Sequence, residues 1–302
     1  MARNSTKIKD AREDQVFNFF TNLILFCALI IVLYPLYFIL IASISDPYMV
    51  LRGEVVFFPK GINFDSYEKL LDYKSIWTGY WNSIVYMVVG TACNVVLTVT
   101  LAYSLSRNYF CFRKPIMIIV MITMYFSGGM IPTYLLVQNL GLRNSMWALI
   151  FVGIISPYNV IIARTFFEST IPRDLEEAAE IDGCSKIRFF MSFALPLSKA
   201  IIAVLILYYA MGHWNDYMKG LLYLDKPDMY PLQLVLRGIL IETQAISSNT
   251  DAADVESIEQ AMKLAEALKY ATIVVSVLPP LMIYPFVQKY FVKGVMIGSV
   301  KG

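Results

Sequence analysis

The chain has 302 residues, 58% of them hydrophobic and only 16% charged, with a net charge of +2. Soluble domains carry roughly 25% charged residues, so this composition and a mean hydropathy of +0.59 mark an integral membrane protein, and the net charge is too small to suggest nucleic-acid binding. Cys27, Cys93, Cys111 and Cys184 stand singly without CxxC spacing and His213 is the single histidine, so no disulfide framework or metal site is expected.

Residues 1–15 are polar and basic (Arg3, Lys7, Lys9, Arg12), and a charge-free run covers 16–45. That run far exceeds the apolar core of a signal peptide, and no small-residue cleavage site stands out. It reads as a retained span. Further charge-free runs occupy 75–106, 115–142, 144–163, 200–215 and 270–288. A span takes about 20 residues at a rise of about 1.5 Å each. The fifth run is short, but it can continue past Asp216 through Leu221, Leu222 and Tyr223.

The expectation is therefore an all-α, polytopic membrane protein with six transmembrane helices. A segment at 1–15 precedes a six-span domain at 16–293, and a tail follows at 294–302. Fifteen of the 25 Lys and Arg fall in 1–15, 105–115, 164–199 and from 289 onward, the side that the positive-inside rule assigns to the cytoplasm. Both termini and the loop at 168–196 are placed there, with outer loops at 46–74 and 225–269. The first outer loop holds Pro47, Pro59 and Gly61 and a short helix at 66–71. The second opens on the turn residues Asp225, Pro227, Asp228 and Pro231. It then enters an amphipathic helix, capped by Thr250 or Asp251, in which Val255, Ile258, Met262, Ala265 and Leu268 follow helical spacing.

Ionisable groups are nearly absent from the spans; only Lys199, His213 and Asp216 come near one. Intramembrane acids and bases usually mark ion or proton pathways, so their scarcity argues against a secondary transporter. No GxxxxGK followed by Ser or Thr occurs, and Lys301 of the Gly-rich end is followed by Gly302. ATP-driven transport would therefore need a nucleotide-binding partner. Nucleophile-elbow and zinc-helix motifs are also missing, which leaves a membrane hydrolase little support and points away from an enzyme.

Polar residues within the spans say more. Ser83, Gly90, Asn94 and Thr98 share a face of the second span, and Tyr208, Gly212, Asn215 and Lys219 share one on the fifth. Tyr209, His213 and Asp216 lie beside the latter. The third span contains Tyr125, Ser127, Gly128, Gly129 and Pro132, and the fourth contains Ser156, Pro157, Tyr158 and Asn159. Proline and glycine there bend or open helices and free carbonyls that need a partner or a cavity. The plainer reading of any one position is interhelical packing. Together the faces favour a polar cavity, with Asn94, Asn159, Tyr208, Tyr209, Asn215 and Asp216 as the candidate substrate path. A carbohydrate suits it, since hydroxyls meet Asn, Asp and Tyr, and its C–H faces pack on aromatic rings.

The longest charged segment between two spans runs over 172–196 and reads as two short helices joined at Gly183. Ser169 or Thr170 can cap the first, Pro172 suits its first turn, and Asp174, Glu176 and Glu177 sit near its positive end. Gly183 ends it, Ser185 can cap the second, and Phe190, Phe193 and Leu197 lead to the next span. Glu177-Ala178-Ala179, Gly183 six residues after the glutamate, and Leu195-Pro196 resemble the EAA loop of bacterial ABC-importer permeases. Phe193 stands where that pattern has isoleucine.

Trp214-Asn215-Asp216 resembles a segment of carbohydrate ABC permeases. Tyr284-Pro285-Phe286, the run from Gln288 to Gly294 and the ending Gly298 to Gly302 are similar to the smaller permease of maltose-type importers. Phe126-Ser127-Gly128-Gly129 with Ile131-Pro132-Thr133-Tyr134 resembles a subgroup for complex or acidic oligosaccharides. The likeness spans about residues 15 to 302.

It implies the MetI-like architecture of a type I importer permease in the bacterial cytoplasmic membrane, working with a second homologous permease, two ATPase subunits and an external sugar-binding protein. ATP and Mg would be held by the ATPases and no cofactor by this chain. Glu177 would meet a basic group in an ATPase cleft, Ala178 and Ala179 would permit close approach, and Gly183, Leu195 and Pro196 would complete the coupling loop. The loop at 225–269 would face the binding protein. Two rivals stand beside this: a permease for another solute, such as an amino acid, metal chelate or spermidine, and a membrane scaffold whose loop recruits an ATPase without transport.

Overall fold

The computed structural model describes residues 12–248, 266, 268–282 and 285. Every regular element among them is helical. The chain divides into two units, one of residues 1–70 and 242–275 and the other of 71–241 and 276–302.

In the first unit, α1 (Arg12–Ser43) is a single rod that tolerates Pro35 in its interior. Nearly all its apolar side chains up to Leu40 point outward, as a membrane-facing helix requires. Below it, α2 (Pro47–Leu51) and α3 (Asp65–Asp72) fold back, so the short helix expected at 66–71 is present. Asp46 caps α2 through Tyr48 N–H at 2.8 Å. Ile41, Ala42, Val50 and Val55 form a small core with Phe38 and Tyr270.

In the second unit, α4 (Lys74–Ser106) is the axis. The third charge-free run is not one helix: α5 (Arg113–Tyr125) and α6 (Met130–Asn139) meet at 117°. Gly129 makes the corner at φ +88°, a conformation that glycine adopts without steric cost. The fourth run is also divided, into α7 (Met146–Phe151) and α8 (Pro157–Thr170). Gly153 takes φ +77° between them, and Ser156 caps α8 with Pro157 in its first turn.

The loop between α8 and the fifth run is built from α9 (Arg173–Ile181), α10 (Lys186–Phe189), a π-helical turn (Phe190–Ala194) and α11 (Leu195–Leu197). The fifth run, α12 (Lys199–Asn215), stops where α13 (Tyr217–Tyr223) begins. Asp216 at φ −83° and ψ 81° leaves the helix and its carboxylate accepts from Lys219 N–H. The run therefore does not continue as one helix, and Lys219 does not share a helical face with Tyr208, Gly212 and Asn215. α14 (Leu232–Ser248) and α15 (Leu268–Met282) follow. α8 and α12 pack on α4 over a core that includes Val99, Ala102, Phe167, Leu205 and Tyr209.

Among the described residues, α1 and α4 are each long and apolar enough to cross a membrane, and the number rises to four if two bent pairs, α5 with α6 and Lys186–Leu197 with α12 (78°), each count as one span. The amphipathic helix expected at 251–268 lies outside the described residues except for Glu266 and Leu268, and the C-terminal motifs after Pro285 lie wholly outside them.

Candidate functional site

Two regions hold the residues singled out by the sequence. The first is the middle of α4, where Ser83, Gly90, Asn94 and Thr98 are all buried on one side. A break such as that between α7 and α8 frees backbone groups, and here side chains take them up. Asn94 Nδ2 donates to the Ile154 carbonyl at 2.5 Å, which leaves its Oδ1 as acceptor for His213 Nε2 at 2.7 Å. Ser156 N–H donates to the Tyr209 hydroxyl at 3.1 Å, and that hydroxyl shares a 2.7 Å bond with Thr98 Oγ1.

His213 crosses α4 at Gly90, where a Cβ would stand 2.4 Å from its Nε2. Only glycine admits the ring. Asn94 and Tyr209 are thus turned onto the broken segment, and Asn159 is buried in the first turn of α8. Tyr208 and Asn215 are exposed on α12, although Asn215 Nδ2 folds back to the Met211 carbonyl at 3.0 Å. Asp216 pairs with Lys219 Nζ at 2.9 Å, and that ammonium also reaches the Leu149 carbonyl at 3.4 Å.

The second region is the loop between α8 and α12. Ser169 and Thr170 belong to the last turn of α8 and do not cap α9; Ser169 Oγ donates to the Phe166 carbonyl. Pro172 disfavours helix at the residue before it. Ile171 accordingly sits at φ −109° and ψ 99°, and Pro172 takes the N-cap position with α9 starting at Arg173. The far end follows the sequence reading. Gly183 takes φ +76°, with Cys184 N–H on the Ala179 carbonyl at 2.9 Å and its own N–H on Glu180 at 3.0 Å, the two bonds of a Schellman cap. Ser185 Oγ caps α10 through Arg188 N–H at 3.3 Å. Pro196 cannot donate to the carbonyl four residues back, and the chain forms its π-helical turn just before it.

Glu177 and Ala178 face outward, while Ala179, Cys184 and Leu195 pack on the α4–α8 core and Pro196 is exposed. Ile181 and Ile187 stand 86% and 75% exposed at the tip. The neighbouring Glu176 turns inward, to a residue that the sequence reading did not single out. Arg107 Nη1 meets Glu176 Oε2 at 3.1 Å, Nη2 the Phe167 carbonyl at 3.1 Å and Nε the Ser106 hydroxyl at 3.0 Å. Its one sequence signal is position: it is the first charge after the run at 75–106. A cleft of about 280 Å³ opens beside this pair, between Asn108, Tyr109, Arg173, Glu177, Glu180 and Lys186. The Lys186 ammonium sits 3.7 Å over the Tyr109 ring. Burial, then the Glu176 carboxylate, push the Tyr109 phenol above its ordinary value.

A broken polar helix bundle with a helical loop on one end has known relatives. Residues 74–297 match the binding-protein-dependent transport system inner membrane component family. The chain belongs to that family. The permease is 41% identical over 272 residues to protein LplC of Bacillus subtilis, covering 90% of each chain. It is 40% identical over 279 residues to the polygalacturonan/rhamnogalacturonan transport system permease protein YtcP of the same organism, covering 92% of this chain and 96% of that one. A crystal structure of a bacterial ABC transporter involved in the import of the acidic polysaccharide alginate contains a chain that superposes with TM-score 0.81 at 30% identity, over 94% of this chain and all of that one.

The permease is therefore a multi-pass inner-membrane component with the MetI-like fold, not a catalytic subunit. An ABC-importer permease acts with a partner permease, ATPases and a substrate-binding protein.

Proposed function

We propose that this chain is the transmembrane permease subunit of an ATP-driven ABC importer that moves sugars, and specifically acidic oligosaccharides, from an external binding protein into the cytoplasm. The observation that carries the substrate class is the likeness, over nine-tenths of the chain, to a polygalacturonan/rhamnogalacturonan permease at 40% identity, together with the alginate importer. Six spans are assigned to α1, α4, the α5–α6 pair, the α7–α8 segment, α12 and α15. Residues 1–15 and 294–302 are cytoplasmic and flank a permease domain at 16–293, and the loops at 46–74 and 225–269 face outward.

One second permease and two ATPases, which bind ATP and Mg, complete the membrane complex. The loop at 168–196 is its coupling element. Glu177 reaches a basic group of one ATPase, Ala178 and Ala179 allow close approach, Gly183 forms the turn, and Leu195 and Pro196 join the loop to α12. The exposed Ile181 and Ile187 fit a cleft on such a partner, because apolar tips gain free energy when covered. The substrate path runs along α12. Tyr208 and Asn215 offer it an aromatic face and an amide, Asn94, Asn159 and Tyr209 hold the wall behind, and Asp216 fixes the turn at its end.

Reconstitution with the partner permease, ATPases and binding protein tests this reading. ATP-dependent accumulation of a labelled oligogalacturonide in proteoliposomes is the expected result. Import of neutral maltodextrin alone would overturn the acidic substrate, and no import of any sugar would overturn the transport assignment.

A further inference from the structure

We propose that Arg107 and Tyr103, one turn apart at the end of α4, form a clasp that makes the coupling loop and α4 move as one body, with Glu176 as its partner on the loop. The inference rests on the reading of 168–196 as the coupling element, and it assigns positioning roles to residues outside the EAA motif.

The two side chains meet the loop at its entry, in its first helix and near its exit. Arg107 takes the Phe167 carbonyl at the loop's entry and the Glu176 carboxylate inside it, each at 3.1 Å. The Tyr103 ring packs edge-on against Phe167 at 5.5 Å and, at 4.7 Å, against Phe190 where the chain leaves the loop. The guanidinium carbon lies 4.9 Å from the centre of that same ring. Arg107 is 3% exposed and Glu176 13%. Although a cleft opens beside it, the pair is defined in geometry by the three hydrogen bonds that hold the buried guanidinium, to Ser106, Phe167 and Glu176.

Nothing about fold alone requires such a pair. Buried ion pairs are often replaceable by apolar residues at little cost, and their best-attested use is fixing register. α4 is also the helix on which α8 and α12 pack, so displacement of the loop enters the bundle along its axis. Glu176 and Glu177 are adjacent in sequence, yet Glu176 is paired with Arg107 at the end of α4 while Glu177 stands exposed on the rim of the cleft beside that pair. The loop is thus gripped at Glu176 and free at Glu177, as a transmitting element must be.

The test is the amount of oligosaccharide imported per ATP hydrolysed, measured in proteoliposomes containing the whole complex. Replacing both charges, Arg107→Met with Glu176→Met, leaves no orphaned ion. It is expected to give a complex of normal subunit composition that still hydrolyses ATP but imports about tenfold less sugar per ATP. Glu176→Gln, which keeps the shape, should show a smaller defect of the same kind, and it decides the matter if the double variant does not assemble. A wild-type ratio in the assembled variant overturns the clasp. A fall in import matched by an equal fall in hydrolysis makes the pair merely structural and overturns it too. Absence of import by the unsubstituted complex would instead overturn the transport reading on which the clasp depends.

Discussion

At the scale of single residues, two glycines are held by different constraints. Gly90 is fixed by a neighbour, since a Cβ would stand 2.4 Å from His213 Nε2. Gly90→Ala must push the imidazole off Asn94, and an overpacked core position costs about 1–3 kcal/mol. Thermal unfolding in detergent should show that loss, and adding His213→Ala should recover part of it. A Gly90→Ala protein as stable as the parent would refute the crossing of the ring over α4.

Gly183 is fixed by backbone shape. Its φ is +76° but nothing lies within 4 Å of its Cβ position. Gly183→Ala therefore costs only the left-handed penalty of about 1 kcal/mol and leaves insertion intact. Gly183→Asp and Glu177→Lys should insert equally well but lose the ATPase on co-purification, since they place bulk or the wrong charge on the free side of the loop. Normal ATPase recovery with either would sink the docking role. These two glycines also measure what the sequence discloses. Gly183 was legible because caps are local, three to six residues of pattern. Gly90 was legible only as a member of a polar face, because the ring that needs it arrives from 123 positions away in the chain.

At the scale of elements, the divided helices set the pattern. Periodicity and absence of charge located the hydrophobic runs, but they carry no information on a 117° corner or on the gap between α7 and α8. Ser127, Gly128 and Gly129, and Ser156 with Pro157, were the signals of bending, and the backbone turns beside both. The cost of opening a helix in lipid is met by Asn94 and Tyr209. Tyr209→Phe leaves Ser156 N–H and Thr98 Oγ1 without this hydroxyl, a loss of about 1–3 kcal/mol for buried groups left unsatisfied. Faster hydrogen exchange confined to 152–160 is the expected signature, and unchanged exchange there would rule it out.

The turn between α13 and the 3-10 segment (Pro227–Met229) carries a pH dependence. Asn144, then Arg143, hold the Asp225 carboxyl below its ordinary range. Asp225 N–H also donates to Asn144 Oδ1 at 2.6 Å. A depressed carboxylate stabilises the fold above its unfolded pKa and ceases to do so as pH falls through the folded value. Exchange protection of 224–226, corrected for intrinsic rates, should therefore be flat at neutral pH and drop only below about pH 4. The group is exposed, so the change is local to this turn.

At the scale of the whole molecule, the placement of charge and the placement of the loop make one claim about topology. Long-range pairs such as Arg107 with Glu176, 69 positions apart, were invisible in the sequence because nothing local encodes them. The side of the membrane, by contrast, is an expectation that rests on the distribution of Lys and Arg. If both readings hold, Glu177 and Asp228 lie on opposite faces, since α12 runs between them. A cysteine-free background, with Cys27, Cys93, Cys111 and Cys184 replaced, allows single cysteines at the two positions. In right-side-out cells Asp228→Cys should react with an impermeant maleimide and Glu177→Cys should not; inverted vesicles should reverse the pattern. Adding the ATPase subunits to those vesicles should then protect position 177 and leave an Arg52→Cys control, placed in the first outer loop, unreactive throughout. Labelling of position 177 from outside would remove the coupling loop from any contact with a cytoplasmic engine, and the transport mechanism would go with it.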